Sequence, residues 1–424
     1  MRMDKKLRIL LILPLYGGSL PIGRFCTQAL HDMGHLVETF EAPDFYSSFS
    51  ALKQLRVGAD RLEYLENSFL QLISQAVLAK AETFEPDLVL SMAQAPLSRQ
   101  ALKKLSKDNI TTAMWFMEDH RLFTYWKGFA PYYDYFAVIQ KEPVLAELEE
   151  MGVNALYLPM AALPSFHRQE ILSGMDQKRF SSDLSFMGAG YPNRRLAFRQ
   201  LTSFDFKIWG TEWDSEPTLE PFVQLRGARI SPEDCVKIYN GSKINLNLHS
   251  SVHADKLVAL GDFVNPRTFE VASCAAFQLV DKRTLLPELF HEKEITTFES
   301  MEELLDLIPY YLENNGKRME IALAAQKRVV KEHTYHHRMQ TLIDFIAGKQ
   351  PEWPAEKNRY QGVMDNLPPE LSSSVAELLA RLDLPADVAF NDLIWTLRKQ
   401  QGALSGLETG LLFLDEWKKQ YLKN

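Results

Sequence analysis

Short apolar runs alternate along the chain with longer stretches in which apolar residues recur every three or four positions. Residues 7–14 are apolar enough to form a strand buried on both faces. Residues 21–33 read as a helix stopped by Gly34, a residue suited to the left-handed turn that ends helices, and 35–40 read as a second strand. Helical spacing continues through 52–84, carried by Leu62, Leu65, Phe69, Leu72, Ile73 and Val77. Further strands are expected at 87–92, 111–117, 135–139 and 155–158, with helices at 98–105 and 143–151. Such alternation with short loops predicts a parallel sheet covered by helices on both faces.

Pro159, Pro164, Gly174 and a polar run through Ser182 interrupt the pattern, which then restarts. Strands at 184–187, 206–209, 243–249 and 277–280 alternate with helices at 193–201, 232–240 and 265–276. Helices at 301–313, 318–333 and 335–347 follow. Residues 348–424 are different in character. Pro351, Pro354, Pro368, Pro369 and Pro385 punctuate them, no strand is evident, and helices are expected at 371–382, 390–400 and 404–422. The expected organisation is α/β throughout the first two units, at 1–170 and 171–347. A helical extension follows at 348–424, packed on the second unit or serving an interface.

Composition narrows the function classes. The 424 residues carry 47 Lys+Arg against 55 Asp+Glu, a formal net charge of −8, and no basic stripe of the kind nucleic-acid binders use. An apolar content of 46% excludes disorder for the bulk of the chain. Cys26, Cys235 and Cys274 are scattered, with neither a disulfide framework nor zinc spacing, so a reducing, cytoplasmic setting is expected. Arg2, Lys5, Lys6 and Arg8 before the apolar run 9–15 have the outline of an export signal. The run is about half the ~20 residues of a membrane span. It also ends in Pro-Leu-Tyr-Gly-Gly rather than at a small-residue cleavage site, so a first strand entering a glycine turn explains it better.

Candidate chemistry concentrates at 261–281. Asn265 is a good N-cap and Pro266 a good first helical residue, so a helix starts there and its free N–H groups offer an anion site. Arg267 can add a charge-assisted bond to a diphosphate, and Glu270, one turn on, can accept two ribose hydroxyls. The alternative is an ordinary crossover helix with a surface carboxylate. Gly188-Ala189-Gly190 follows an expected strand, and Arg194 and Arg195 open the next helix, where a cation opposes the dipole unless an anion is near. Gly17-Gly18 after the first strand can line a cleft or simply form a tight turn. Asp119 and His120 end a strand, where α/β proteins place ligands, and either can act as a general base. His249 and His253 flank a strand end, but their spacing suits a metal only on a helix, so no metal site is expected. Neither glycine turn is a G-x-G-x-x-G, which disfavours a nicotinamide dehydrogenase.

Between 242 and 338 the order of motifs is specific. It runs Ser242-Lys243-Ile244-Asn245-Leu246-Asn247, Val264-Asn265-Pro266-Arg267-Thr268-Phe269-Glu270, Phe277-Gln278-Leu279 and Leu286-Pro287-Glu288-Leu289-Phe290. Tyr310-Tyr311-Leu312, Glu332-His333-Thr334-Tyr335 and Arg338 close it. This stretch resembles the glycosyltransferase domain of CgeB-like, spore-maturation-type proteins, within the GT-B superfamily. The resemblance implies two Rossmann-like domains facing a cleft, with a nucleotide-diphosphate sugar on the second and the acceptor approaching from the first. It implies donor binding by Glu270, Arg267, Asn265, Thr268, Gly188, Gly190, Arg194 and His249, with Gly17 and Gly18 on the acceptor side. Asp262, eight residues before Glu270, takes the place of a second acid in related retaining enzymes, and joins Asp119 and His120 as a catalytic candidate. Ala275 stands where the family commonly has Gly, so an altered turn is expected there. The implied activity is a metal-independent glycosyl transfer needing no cofactor beyond its nucleotide-sugar co-substrate. The alternative is a non-catalytic nucleotide-sugar or glycan-binding module whose helical tail recruits a partner.

Overall fold

The computed structural model describes residues 6–214, 216–254, 256–258, 261–354, 362–364 and 367–421. Two parallel sheets organise them. The first holds β1 (Arg8–Ile12), β2 (Leu36–Phe40), β3 (Leu88–Met92), β4 (Thr111–Phe116), β5 (Tyr135–Val138) and β6 (Asn154–Tyr157). Their order is β2-β1-β3-β4-β5-β6, with Ile9 in register with Val37 on one side and Leu88 on the other. The second holds β7 (Ser182–Met187), β8 (Phe206–Trp209), β9 (Ser242–Asn247), β10 (Gln278–Asp281) and β11 (Thr296–Phe298), in the order β11-β10-β9-β7-β8.

The apolar run at 9–15 supplies β1 and its exit. Because side chains alternate along a strand, Ile9 and Leu11 enter one core cluster and Leu10 and Ile12 the other, on the opposite face. Burial on both faces is what makes the strand read as a continuous apolar run. In each sheet the strand order reverses beside the unit's first strand, between β1 and β3 and between β7 and β9. At such a switch point the connections leave toward opposite faces and a crevice opens beyond the strand C-termini. Gly17-Gly18 lies just past β1 and Gly188 just past β7, so both glycine turns sit at these crevices.

The chain crosses between the sheets and then returns. Ala162 and Thr334 form a parallel bridge, with the Ala162 N–H donating to His333 O (3.1 Å) and the Tyr335 N–H to Ala162 O (3.0 Å). The helix Tyr335–Lys349 then packs against the first sheet's helix Ser19–Asp32, with Tyr335 beside Trp115 and Phe345 beside Tyr135. Arg338 on this helix donates from Nε to Pro159 O (2.7 Å) and from Nη2 to Met160 O (3.0 Å), tying the two crossings together.

The tail departs from the expected placement. Its helices Pro369–Arg381, Phe390–Lys399 and Gly406–Tyr421 share a small core around Val375, Leu393 and Ile394. They lie against the first unit rather than the second. The Trp395 ring lies tilted against Phe84 (centroids 4.9 Å), Asn391 donates to Glu85 Oε2 (2.7 Å), and Asp392 and Lys399 pair with Arg8 and Glu38. No sequence signal marks this partner, because the contacts join residues some 300 positions apart in the chain.

Several local features also differ from expectation. Helical periodicity over 52–84 belongs to two helices, Tyr46–Leu52 and Ala59–Phe84, parted by Arg56 in the left-handed region (φ 52°). The helix expected at 265–276 is Pro266–Ser273. Beyond it Ala275 adopts φ 52°, so the turn is kept rather than altered, at a cost of about 1 kcal/mol relative to Gly. The short helix Gly174–Phe180 and the edge strand β11 have no clear sequence signature. Among the described residues no helix is long and apolar enough to cross a membrane.

Candidate functional site

A cleft of about 630 Å³ opens between the two units. From the first unit Gly18 and the start of the helix Ser19–Asp32 line it. From the second come Gly188, Gly210, Arg229, Tyr239, Arg267 and Glu270. Arg229 also donates to the Gly17 carbonyl (2.6 Å), a bond that crosses between the units.

The helix Pro266–Ser273 begins as its sequence dictates. The Asn265 side chain accepts from the Thr268 N–H (3.2 Å), and Pro266 takes the first position. This aims the helix N-terminus, with Arg267 beside it, into the cleft next to Gly188. Among the described residues Arg267 makes no hydrogen bond or ion pair. Burial first, and then the Arg267 cation, pull the neighbouring Arg194 down to about 9. Arg267 thus lines the cleft beside the Gly188 turn with its donors unused among the described residues, and an anion is its natural complement. Glu270 follows on the same helix face, its Oε2 accepting from the Tyr239 hydroxyl (3.0 Å).

Several other residues expected to touch a donor support the cleft from beneath instead. Arg194 is buried, with Nε donating to Leu248 O (2.9 Å) and Nη1 to Ala189 O (2.9 Å), so it shapes the glycine turn. Thr268 is fully buried and its hydroxyl accepts from Asn247 Nδ2 (2.9 Å). Asn265 spends its oxygen on the cap and its amide on Asn247 Oδ1 (2.6 Å). His249 is buried beside Asp281 (2.5 Å), and its Nε2 accepts from the Asn265 N–H (2.9 Å), leaving no ring nitrogen for a sugar. Gly190 also has a packing role: a Cβ there would stand 2.2 Å from Glu212 O, so glycine lets the 188–190 turn lie against the loop after β8.

The catalytic candidates lie elsewhere on the interface between the units. Asp119 lines a cavity of about 410 Å³, and His120 and Asp262 line a more open one of about 530 Å³. Arg121 grips Asp119 through Nε (3.0 Å) and Nη2 (2.9 Å). Burial raises the Asp119 carboxyl, but the Arg121 bonds outweigh it and hold the group below the usual carboxylate range. Gln140, which the sequence did not single out, joins the other two. Its amide donates to Asp262 Oδ1 (2.8 Å), so its oxygen must face His120 Nδ1 (3.0 Å). That fixes the His120 proton on Nδ1 and leaves the Nε2 lone pair available as a base. Among the described residues no group of three His, Cys, Asp or Glu side chains could hold a metal ion.

Residues 194–344 match a family model described as glycosyl transferase-like. Over 268 residues the chain is 25% identical to the spore protein CgeB of Bacillus subtilis (strain 168), covering 61% of this chain and 82% of that protein. The chain is thus similar to CgeB, and its second unit to glycosyl transferase-like proteins. The fold is GT-B. It superposes on Anabaena HepE, solved in complex with UDP and glucose, with a TM-score of 0.56 at 13% identity, covering 81% of this chain and all (100%) of that one. Sucrose-phosphate synthase from Thermosynechococcus elongatus gives a TM-score of 0.56 at 11% identity, with the same coverage, 81% and 100%.

Two buried histidines contribute to the chain's acid sensitivity. Burial, helped by the Arg338 cation, lowers His333 to about 4, and burial also lowers His249. In the unfolded chain both imidazoles take up a proton near 6.5. Their contribution to stability is therefore complete above about pH 6.5 and is lost progressively as pH falls toward 4, by a few kcal/mol in order of magnitude. Thermal melts between pH 7.5 and 4.5 should show this decline, with a shallower slope for His333→Gln. Identical slopes would remove His333 as its source.

Proposed function

We propose that this protein transfers a sugar from a nucleoside-diphosphate sugar to an acceptor hydroxyl. The observation that carries this reading is Arg267. Among the described residues it stands unpaired at a helix N-terminus, one turn before Glu270 and beside Gly188, within a cleft large enough for a nucleotide. In this reading the helix N-terminus and Arg267 hold the diphosphate and stabilise it as it leaves. Glu270 accepts the ribose hydroxyls. That HepE was solved with UDP supports a nucleotide in the corresponding cleft. Charge stabilisation by these groups supports transfer without a resident metal. Retention at the anomeric carbon is supported only by the Asp262–Glu270 spacing, and hexose as the transferred sugar by family resemblance alone.

The test is nucleoside-diphosphate release from UDP-, GDP-, ADP- and dTDP-sugars by the wild-type protein and by Glu270→Ala. Turnover of one donor should fall by about 100-fold or more in the variant, since two charge-assisted bonds are lost. Equal turnover by both proteins would remove Glu270 from the site.

One observation favours a second reading, a nucleotide-sugar-binding module without turnover. Asp119, His120 and Asp262 do not line the cleft that holds Glu270. Tight donor binding with no release or transfer across acceptors would select it. In that case a protein partner or a second copy would meet the tail, where Phe413, Trp417 and Tyr421 are exposed on the last helix.

A further inference from the structure

His167 lies on the connection between the two sheets, where the sequence offers no motif. It is 3% exposed, wedged against Phe25 (ring centroids 4.7 Å apart) and Phe166 (5.1 Å). Its Nδ1 accepts the Leu163 N–H (3.1 Å), which assigns the ring proton to Nε2. Burial lowers the His167 pKa, in keeping with a neutral ring. The Nε2–H faces the cleft and stands 3.9 Å from Glu270 Oε1, too far for a direct hydrogen bond. Among the described residues it has no other partner. The second Glu270 oxygen is already occupied by the Tyr239 hydroxyl (3.0 Å).

A single hydroxyl fits this gap. An oxygen about 2.8 Å from both atoms would accept from His167 Nε2–H and donate to Glu270 Oε1. We propose that His167 is a nucleotide-binding residue that reads one ribose hydroxyl jointly with Glu270. This rests on the reading of the cleft as a nucleotide-sugar site, and adds to it a donor supplied by the inter-unit connection. The site then recognises a ribonucleotide by a hydroxyl that both donates and accepts, which a deoxy analogue cannot replace.

The test is calorimetric titration of the full-length protein with UDP, GDP and ADP, then with the 2′-deoxy and 3′-deoxy forms of the tightest binder. His167→Asn keeps an acceptor for the Leu163 N–H while removing the donor that faces the cleft. His167→Leu removes both, and His167→Gln places an amide N–H near the Nε2 position. Both variants lacking the Nε2 donor should bind the ribonucleotide about 5–10-fold more weakly, the worth of one neutral hydrogen bond. They should bind one of the two deoxy forms as the wild type does, and His167→Gln should recover most of the loss. Equal weakening toward the ribonucleotide and both deoxy forms would mean a structural role only and overturn the proposal, as would unchanged binding in His167→Asn. Should the wild type bind none of the three diphosphates, the nucleotide reading itself fails, and the proposal with it.

Discussion

Arg267→Ala is expected to weaken nucleoside-diphosphate binding by about 10–100-fold, the worth of a charge-assisted hydrogen bond to phosphate. The melting temperature should stay unchanged or rise slightly. Arg267 makes no hydrogen bond within the described residues, and its charge acts against Arg194. Arg267→Lys should be intermediate, because an ammonium keeps the charge but not the planar, two-pronged donor. Affinity of the wild type should fall with added salt more steeply than that of the alanine variant. Calorimetry at two ionic strengths measures all three effects. Wild-type affinity in Arg267→Ala would show that the diphosphate is held elsewhere.

Gly210→Ala should damage both stability and binding. Gly210 has φ +120°, and a Cβ there would lie 2.5 Å from the Gly188 carbonyl oxygen and 2.9 Å from its carbon. Both obstacles are backbone, so no rotamer change relieves them. The turn is also held on other sides: the Gly188 N–H donates to Trp209 O (2.8 Å), and Trp213 Nε1 donates to Gly188 O (3.0 Å). The substitution must push the Gly188 turn out of the cleft wall, with a loss of about 2–4 kcal/mol from backbone strain and overpacking. Nucleotide affinity should fall by 10-fold or more as the turn moves. Gly316→Ala, where no atom lies within 4 Å of the new Cβ, serves as the control and should behave as wild type. Denaturant titration and calorimetry on both variants give the comparison, and a wild-type midpoint for Gly210→Ala would refute the packing argument.

The glycine turns show how far a linear reading reaches. That Gly188 and Gly190 follow a strand was legible, because strand, turn and helix are local patterns. Why each is glycine was not. Gly188 faces the cleft, whereas Gly190 and Gly210 are required by the approach of one loop to another, across some 20 intervening residues. The helix start at Asn265–Pro266 was legible for the same reason, since a cap is satisfied by residues within one turn. Thr268 and His249 sit in equally suggestive places in the sequence, yet their polar atoms are consumed by Asn247, Asp281 and Asn265. Gln140, Tyr239 and His167 went unread because nothing in their neighbouring residues distinguishes them. Each gains its role from a partner contributed by a distant element.

By itself the sequence determined the alternation of strands and helices, the two parallel α/β units and the capped start of the helix at Asn265–Pro266. These follow from periodicity and capping, which act over a few residues. Only the tertiary structure decided which charged groups face the cleft, which lie beneath it, and where the tail docks. Those outcomes depend on the burial of polar atoms and on finding partners for them. A buried donor or acceptor is costly unless satisfied, and its partner can come from any part of the chain. Arg194 and Arg267 make the point together. They are both arginines in the first turn of a helix, yet one spends its donors on two carbonyls of its own unit, while the other lines the cleft and makes no hydrogen bond among the described residues.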